Sequence, residues 1–403
     1  MNDRAACGDP YSDDPFFQLG PDSDWNACIG RQGEEENYLD GYIEAAIELV
    51  DAVIEKQLFG KRDTLVLPIL YTARHAIEIS LKFAGERLFD ARLVRGERPR
   101  RNHDIRELWE RLNASAIGDE KLSNVISALE PFVRSVTRID SDGQELRYHR
   151  NRDDDPSLEN YALANLQVIQ ASLRHLEILL RDLQHRTNDF LSEHLAGTHT
   201  NRCSRKDLVA IARLMPPRDA WLTSMFDEQK ALVKARFALS GKQFSIALTR
   251  IQENREMRAI LGMESPLLHL TDNEVVAVIE QWRRLHPKQR ALGPAIVNAA
   301  DTANFDGMSE EIARLKEVIA TTEHALSPAA LAELEVMFYL GRDGGFVEQY
   351  EDRVERKQRE HAAAGNSREE IRHLIQKTNL LQCVQVAAIK LGCLTLAERL
   401  KNA

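Results

Sequence analysis

Residues 64–86 read TLVLPILYTARHAIEISLKFAGE. Leu70, Ala73, Ala76, Ile77, Ile79, Leu81 and Phe83 spread apolar atoms around nearly the whole circumference of a helix that starts near Thr64. Pro68 is tolerated in its first turn, where a missing N–H breaks no intrahelical bond. A helix that is apolar on most sides belongs at the centre of a bundle. Arg74, Glu78, Lys82 and Glu86 stand four apart on it, a ladder of alternating charge. On an open surface such pairs contribute about a few tenths of a kcal/mol each. On a central helix they must find partners or carry a heavy desolvation penalty. Arg74 and Glu78 are therefore expected to meet in a core-facing cleft, close to Arg147.

Working outward, the surrounding segments are helical too. Leu39, Tyr42, Ile43, Ala46, Ile47, Val50, Val53 and Ile54 recur at steps of three and four, the mark of an amphipathic helix. Asp104 and Glu107 form an aspartate version of the capping box ahead of Ile105, Leu108 and Leu112. A further helix is expected over roughly 120–137, kinked or interrupted at Pro131. A long one follows from about Ser157 to His185, with Ala162, Leu166, Ile169, Leu173, Leu176, Leu180 and Leu183 as a heptad-like seam that serves a bundle core or a dimer. Residues 188–204 read as a linker. Beyond it, Thr271 with Glu274, Ser309, Ser327-Pro328, and Ser367 with Glu370 mark helix starts. The expected fold is all-α: an extended acidic segment over 1–36, a helical bundle over 37–187, and a second, irregular α-helical domain over 205–403.

Composition narrows the function classes. The 403 residues include 20 Gly and 13 Pro, so strand punctuation is scarce. No run approaches the roughly 18 apolar residues of a membrane span. MNDRAACGDPYSDD has neither the basic start nor the apolar stretch of a secretory signal, and a cytoplasmic address is expected. Five cysteines form no CxxC pair. His194, His199 and Cys203 are the nearest thing to a ligand cluster, short of the four ligands of a closed zinc site. No metal and no cofactor is expected. The net charge of −10 is mostly local: residues 1–36 hold nine acids against two bases, so the other 367 residues carry only −3. A basic, phosphate-facing patch on the folded body is compatible with that balance.

Three groupings can carry chemistry. Arg74, His75 and Glu78 are the first. The second is the connection 87–106, where Arg87, Arg92, Arg95, Arg98, Arg100, Arg101 and Arg106 face Asp90, Glu97 and Asp104. Guanidinium groups suit phosphate because they offer a planar, bidentate donor fork, so Arg98, Arg100, Arg101 and His103 are candidate nucleic-acid contacts. The third is Arg147-Tyr148-His149-Arg150-Asn151, ahead of the long helix. Histidine can move a proton near neutral pH, and arginine can stabilise the charged transition state of phosphodiester cleavage. Arg147, His149, Arg74 and Glu78 are thus the candidate catalytic residues, with Arg150 a phosphate contact. In the second domain, residues 203–258 hold eleven bases and six acids. A helix there beginning at Lys242 could enter a major groove with Gln243, Ser245, Thr249 and Arg250, or simply be half of a helical hairpin.

The order NYLDGYIEAAIELV (37–50), LVLPILYTARHAIEISLKF (65–83), NHDIRELW (102–109) and RYHRN (147–151) before a long helix resembles the HEPN superfamily, small α-helical domains of prokaryotic toxins and defence proteins. The resemblance covers about 37–187. It implies a homodimeric, metal-independent ribonuclease acting through an arginine followed at four to six residues by a histidine. After Arg147 and Arg150 no histidine occurs until His175, and the matching spacing is Arg98 to His103. Function is accordingly expected to be engagement of RNA or nucleotide phosphate. The alternatives are a non-catalytic dimerising module with a partner-binding second domain, and a helix-turn-helix DNA regulator.

Overall fold

Pro68 lies inside the longest apolar helix of the first half, where Thr72 returns a hydroxyl hydrogen bond to its carbonyl at 2.8 Å. In this computed structural model, which describes residues 14–17, 22–30, 33–95, 98, 102–151, 154–286 and 305–402, the fold is all-α, with no strand among those residues. The chain divides into two compact units: residues 1–117 with 121–187, and 118–120 with 188–403.

The helices of the first unit are α1 (Glu35–Glu55), α2 (Arg62–Asp90), α3 (Ile105–Asn113), α4 (Glu120–Ala128), α5 (Glu130–Ile139) and α6 (Leu166–Leu195), the last running on into the second unit. α1 packs on α2, and α2 on α3. Leu39, Ile43, Ile47 and Val50 of α1 are buried with Ile69, Ala73, Ile77, Leu81 and Leu88 of α2. Leu173, Leu176, Leu180 and Leu183 supply the buried stripe of α6, and Arg174 and Arg181 anchor it to Asp51 and Glu44 of α1. α2 is buried around most of its girth, as its sequence requires.

Both ends of α6 differ from the sequence reading. α6 begins at Leu166 and not near Ser157, because Asn165 Oδ1 accepts from the N–H groups of Gln167 (2.9 Å) and Val168 (3.2 Å) and so caps the helix there. It also continues to Leu195, so the first part of the expected 188–204 linker is helical; Phe190, fully buried, extends the apolar stripe by two turns. The break at Pro131 is real, with α4 ending at Ala128 and α5 starting at Glu130.

The second unit contains α7 (Arg205–Leu214), α8 (Ser224–Arg236), α9 (Gly241–Glu253), α10 (Arg255–Ile260), α11 (Asp272–Leu285), α12 (Phe305–Ala325), α13 (Pro328–Asp343), α14 (Tyr350–Ala364), α15 (Ser367–Ile375), α16 (Leu380–Leu391) and α17 (Leu394–Asn402). Residues of α7–α10 enclose one core and residues of α11–α17 another. Thr271 with Glu274 forms the expected reciprocal box, and Ser327 caps α13 with Pro328 in its first turn. α12 starts at Phe305, one turn ahead of Ser309. α15 is capped by Asn366, whose side chain accepts from Glu369 N–H at 3.3 Å, so Ser367 is the first helical residue and Glu370 has no capping duty.

α13 is the counterpart of α2. Every residue from Ala330 to Phe338 is buried, including Glu333 and Glu335. Glu333 accepts three successive backbone N–H groups, from Leu268 (2.7 Å), His269 (2.6 Å) and Leu270 (2.7 Å), and the Tyr350 hydroxyl as well. Burial and this carboxylate push the Tyr350 hydroxyl well above the ordinary phenol range. At Gly341 α13 meets α16 so closely that a Cβ would lie 1.9 Å from the Cys383 carbonyl oxygen. Among the described residues no helix is long and apolar enough to cross a membrane.

Candidate functional site

The two central charges of α2 are almost fully buried, Arg74 and Glu78 each at 1% exposure. Their spacing of four puts one above the other on the helix face, and Arg74 Nη1 donates to Glu78 Oε2 at 2.9 Å. The rest of the guanidinium is taken up by backbone. Nε donates to the Asp140 carbonyl (3.0 Å), and Nη2 to the carbonyls of His103 (2.8 Å) and Ser141 (3.2 Å). Arg74 therefore pins two separate chain segments to α2. Asp140, itself buried, lies 3.8 Å from Nε and accepts from the N–H groups of Glu145 and Leu146, both at 3.3 Å.

The other oxygen of Glu78 faces outward. Oε1 accepts from Lys82 Nζ at 2.7 Å and pairs with His103 Nδ1 at 2.8 Å. Burial alone would raise the Glu78 carboxyl, but the hydrogen bonds from Lys82, His103 and Arg74 outweigh it and hold the group below the usual carboxylate range. An ionised carboxylate only accepts, so Nδ1 carries the proton and the Nε2 lone pair of a neutral ring is left free. The His103 side chain is 68% exposed. The result is a solvent-facing imidazole whose orientation is set by a dry, doubly tethered carboxylate.

Around this dyad lie further aromatic and basic groups. Gly143 sits against Arg74 with φ +83°, where a Cβ would come 3.1 Å from Nη1. Its carbonyl accepts from Arg147 Nε. The Arg147 guanidinium lies over the rings of Tyr71 (5.6 Å) and Tyr148 (5.1 Å). His75, one residue beyond Arg74, stacks on Tyr71 and meets Tyr42 edge-on at 4.3 Å. Burial lowers its pKa; Glu78 opposes that shift, while Arg74, Lys82 and His103 add to it. His75 is thereby kept neutral and is part of the aromatic wall.

The candidates from sequence thus separate. Arg74, Glu78 and His103 converge, and Arg147 is one residue removed through Gly143. His149 is exposed, and the bond from Ser157 N–H to its carbonyl (2.9 Å) fixes its backbone alone. Arg150 donates to the Asp154 carbonyl, and Arg98 pairs with Asp90 at 3.1 Å, both on the surface. Arg100 and Arg101 lie outside the described residues. Asp140 and Gly143 carry no sequence signal beyond a turn-forming Ser-Asp-Gly.

In the second unit, Gln243 is occupied in the reciprocal cap of α9 with Ser240, Ser245 and Thr249 hydroxyls bond carbonyls one turn back, and Arg250 pairs with Glu253. All four side chains that a groove-entering helix would present have partners within α9 or at its cap. A cleft of about 410 Å³ is lined by Arg250, Arg255 and Arg258 with Glu253, Glu348 and Glu351. Arg255 already bonds Glu351 (3.2 Å) and the Pro266 carbonyl (2.8 Å), so its charge is spent. His199, ring to ring with His194 at 5.6 Å, is lowered by burial. Comparison with known protein families, curated proteins and solved structures gives no match to this chain.

Proposed function

We propose that the first unit binds RNA and cleaves it without a metal, with His103 as the group that moves the proton. The observation carrying this reading is the Glu78–His103 pair at 2.8 Å. A neutral imidazole held at Nδ1 and open at Nε2 can take the proton of a ribose 2′-hydroxyl as that oxygen attacks phosphorus, and return it to the leaving 5′-oxygen. Arg147 supplies a cation for the charge that develops on the phosphate oxygens, and Arg98 and Arg150 bind flanking phosphates. A prokaryotic defence or toxin role fits such an activity and rests on the resemblance alone.

The direct experiment is incubation of the purified full chain with labelled RNA in EDTA. Cleavage is expected, lowered about 10²-fold or more in His103→Ala and in Arg147→Ala, in the range of lost acid–base or electrostatic stabilisation. His149→Ala should cleave like wild type, and Arg98→Ala should mainly weaken binding. If RNA is neither bound at low salt nor cut, the proposal is wrong. If His149→Ala abolishes cleavage and His103→Ala does not, the proton belongs to the 147–151 loop.

A second reading is a non-catalytic dimerising module, favoured by the outward side of α6. Val168 and Ile178 are 65% and 58% exposed there, at helical spacing with Ala171 and His175, beside Phe132. An apolar stripe opposite a buried one on the same helix is suited to a second copy of the chain. Light scattering at micromolar concentration is expected to give the mass of a dimer, and Val168→Glu that of a monomer. A wild-type monomer would refute it. Dimerisation is compatible with either reading; the RNA assay separates them.

A further inference from the structure

We propose that Glu335, His361 and Glu370 form a binding site for a first-row divalent metal ion, with zinc the expected occupant. The three come from three helices: Glu335 from the centre of α13, His361 from the last turn of α14 and Glu370 from α15. One donor atom from each lies within 4.8 Å of the others, so a small inward movement brings them to the spacing of ligands around one ion at about 2.0–2.2 Å. One imidazole and two carboxylates match the mixed preference of zinc better than the all-oxygen preference of magnesium or calcium.

The histidine of the three is itself buried. His361 is 9% exposed, and its Nε2 stands 2.7 Å from Glu335 Oε2, yet Nδ1 is buried with no hydrogen-bond partner. A ring that donates from Nε2 to Glu335 leaves an unshared pair on Nδ1; a doubly protonated ring leaves an N–H without an acceptor. Either state wastes a buried polar atom, which native interiors rarely do. An ion taken at Nε2, the nitrogen that faces Glu335, replaces that hydrogen bond by coordination and leaves the ring proton on Nδ1. The imidazole must then be neutral, so binding releases any second proton.

Lys357 is the competing cation, 3.1 Å from Glu335 Oε1 and 2.8 Å from Glu360 Oε2. It occupies the oxygen of Glu335 that faces away from His361, and Glu360 can hold it alone. Glu370 is partly exposed, which leaves the fourth position of a tetrahedral site to water. No spacing in the sequence announces the site, since 335, 361 and 370 belong to separate helices.

The test uses the full chain, stripped with chelator and titrated calorimetrically with ZnCl₂ near neutral pH. One saturable site is expected. Glu370→Gln and His361→Gln should each weaken it about ten-fold or more, the least that even an outer-shell partner contributes. Glu370→Gln changes a partly exposed helical residue, so its helical circular dichroism should equal wild type, and it decides the matter if His361→Gln does not fold. Absence of saturable binding overturns the proposal, as does equal affinity in Glu370→Gln. Cobalt in place of zinc should show no thiolate charge-transfer band; such a band would assign the ion to a cysteine and overturn it too.

Discussion

Glu333→Ala should destabilise the second unit by about 3–5 kcal/mol, the cost of breaking a buried charge network by removing one partner. The wild-type carboxylate closes off three successive backbone N–H groups at residues 268–270 and the hydroxyl of Tyr350. The N–H groups immediately precede Thr271, which caps α11, so the carboxylate sets where that helix enters the core. Alanine leaves all four donors facing a void in the middle of α13, each carrying a desolvation cost of about 1–3 kcal/mol that water entering the void would only partly offset. Glu333→Gln should fall nearly as far, because an amide turns an NH₂ toward donors. Urea unfolding followed by helical circular dichroism measures both. A Glu333→Ala protein within about 1 kcal/mol of wild type would show that the N–H groups are satisfied without the carboxylate.

Glu78→Gln should cost the first unit about 3–5 kcal/mol, by breaking a buried ion pair and leaving Arg74 only the more distant Asp140 carboxylate at 3.8 Å. Were these charges solvated, the same change would cost well under about 1 kcal/mol. A pH dependence accompanies it. The folded Glu78 carboxyl is held below its ordinary value, so the folded state binds that proton more weakly than the unfolded chain does. Its stabilising contribution is complete above the ordinary glutamate value of about 4.3 and is lost as pH falls through the lower, folded one. The wild-type unfolding free energy should therefore drop in that acid range, and Glu78→Gln should remove the part due to this group. Parallel pH profiles for the two proteins would mean that Glu78 is not the group responsible.

What could be read from sequence was what local periodicity encodes. The apolar girth of α2 marked it as central, and a spacing of four on such a helix already implied that Arg74 and Glu78 meet away from water. The partners that complete the cluster, the His103 and Ser141 carbonyls and Asp140, lie 29 to 67 residues from Arg74, and no local pattern specifies a contact over that distance. His103 was legible as a phosphate contact within an arginine-rich connection; its carboxylate partner, 25 residues upstream, was not. Helix ends failed where two signals competed. Asn366 and Ser367 are adjacent cap formers, and the asparagine takes the role. Ala162 and Leu163 keep an apolar rhythm ahead of α6, yet Asn165 offers the orphan N–H groups an acceptor and the helix starts behind it.

The reach of Arg74 bears on the order in which the first unit assembles. Its guanidinium is satisfied only when the segments at 103 and 140–141 have both arrived, and those contacts close loops of about 30 and 65 residues, slow steps next to helix formation. An intermediate with α2 docked and those segments absent would keep the Arg74–Glu78 pair but hold Nε and Nη2 in its interior without acceptors, and be disfavoured. The cluster thus couples distant parts of the chain into one all-or-none transition, and the outward-facing His103 ring takes its orientation only in the finished unit.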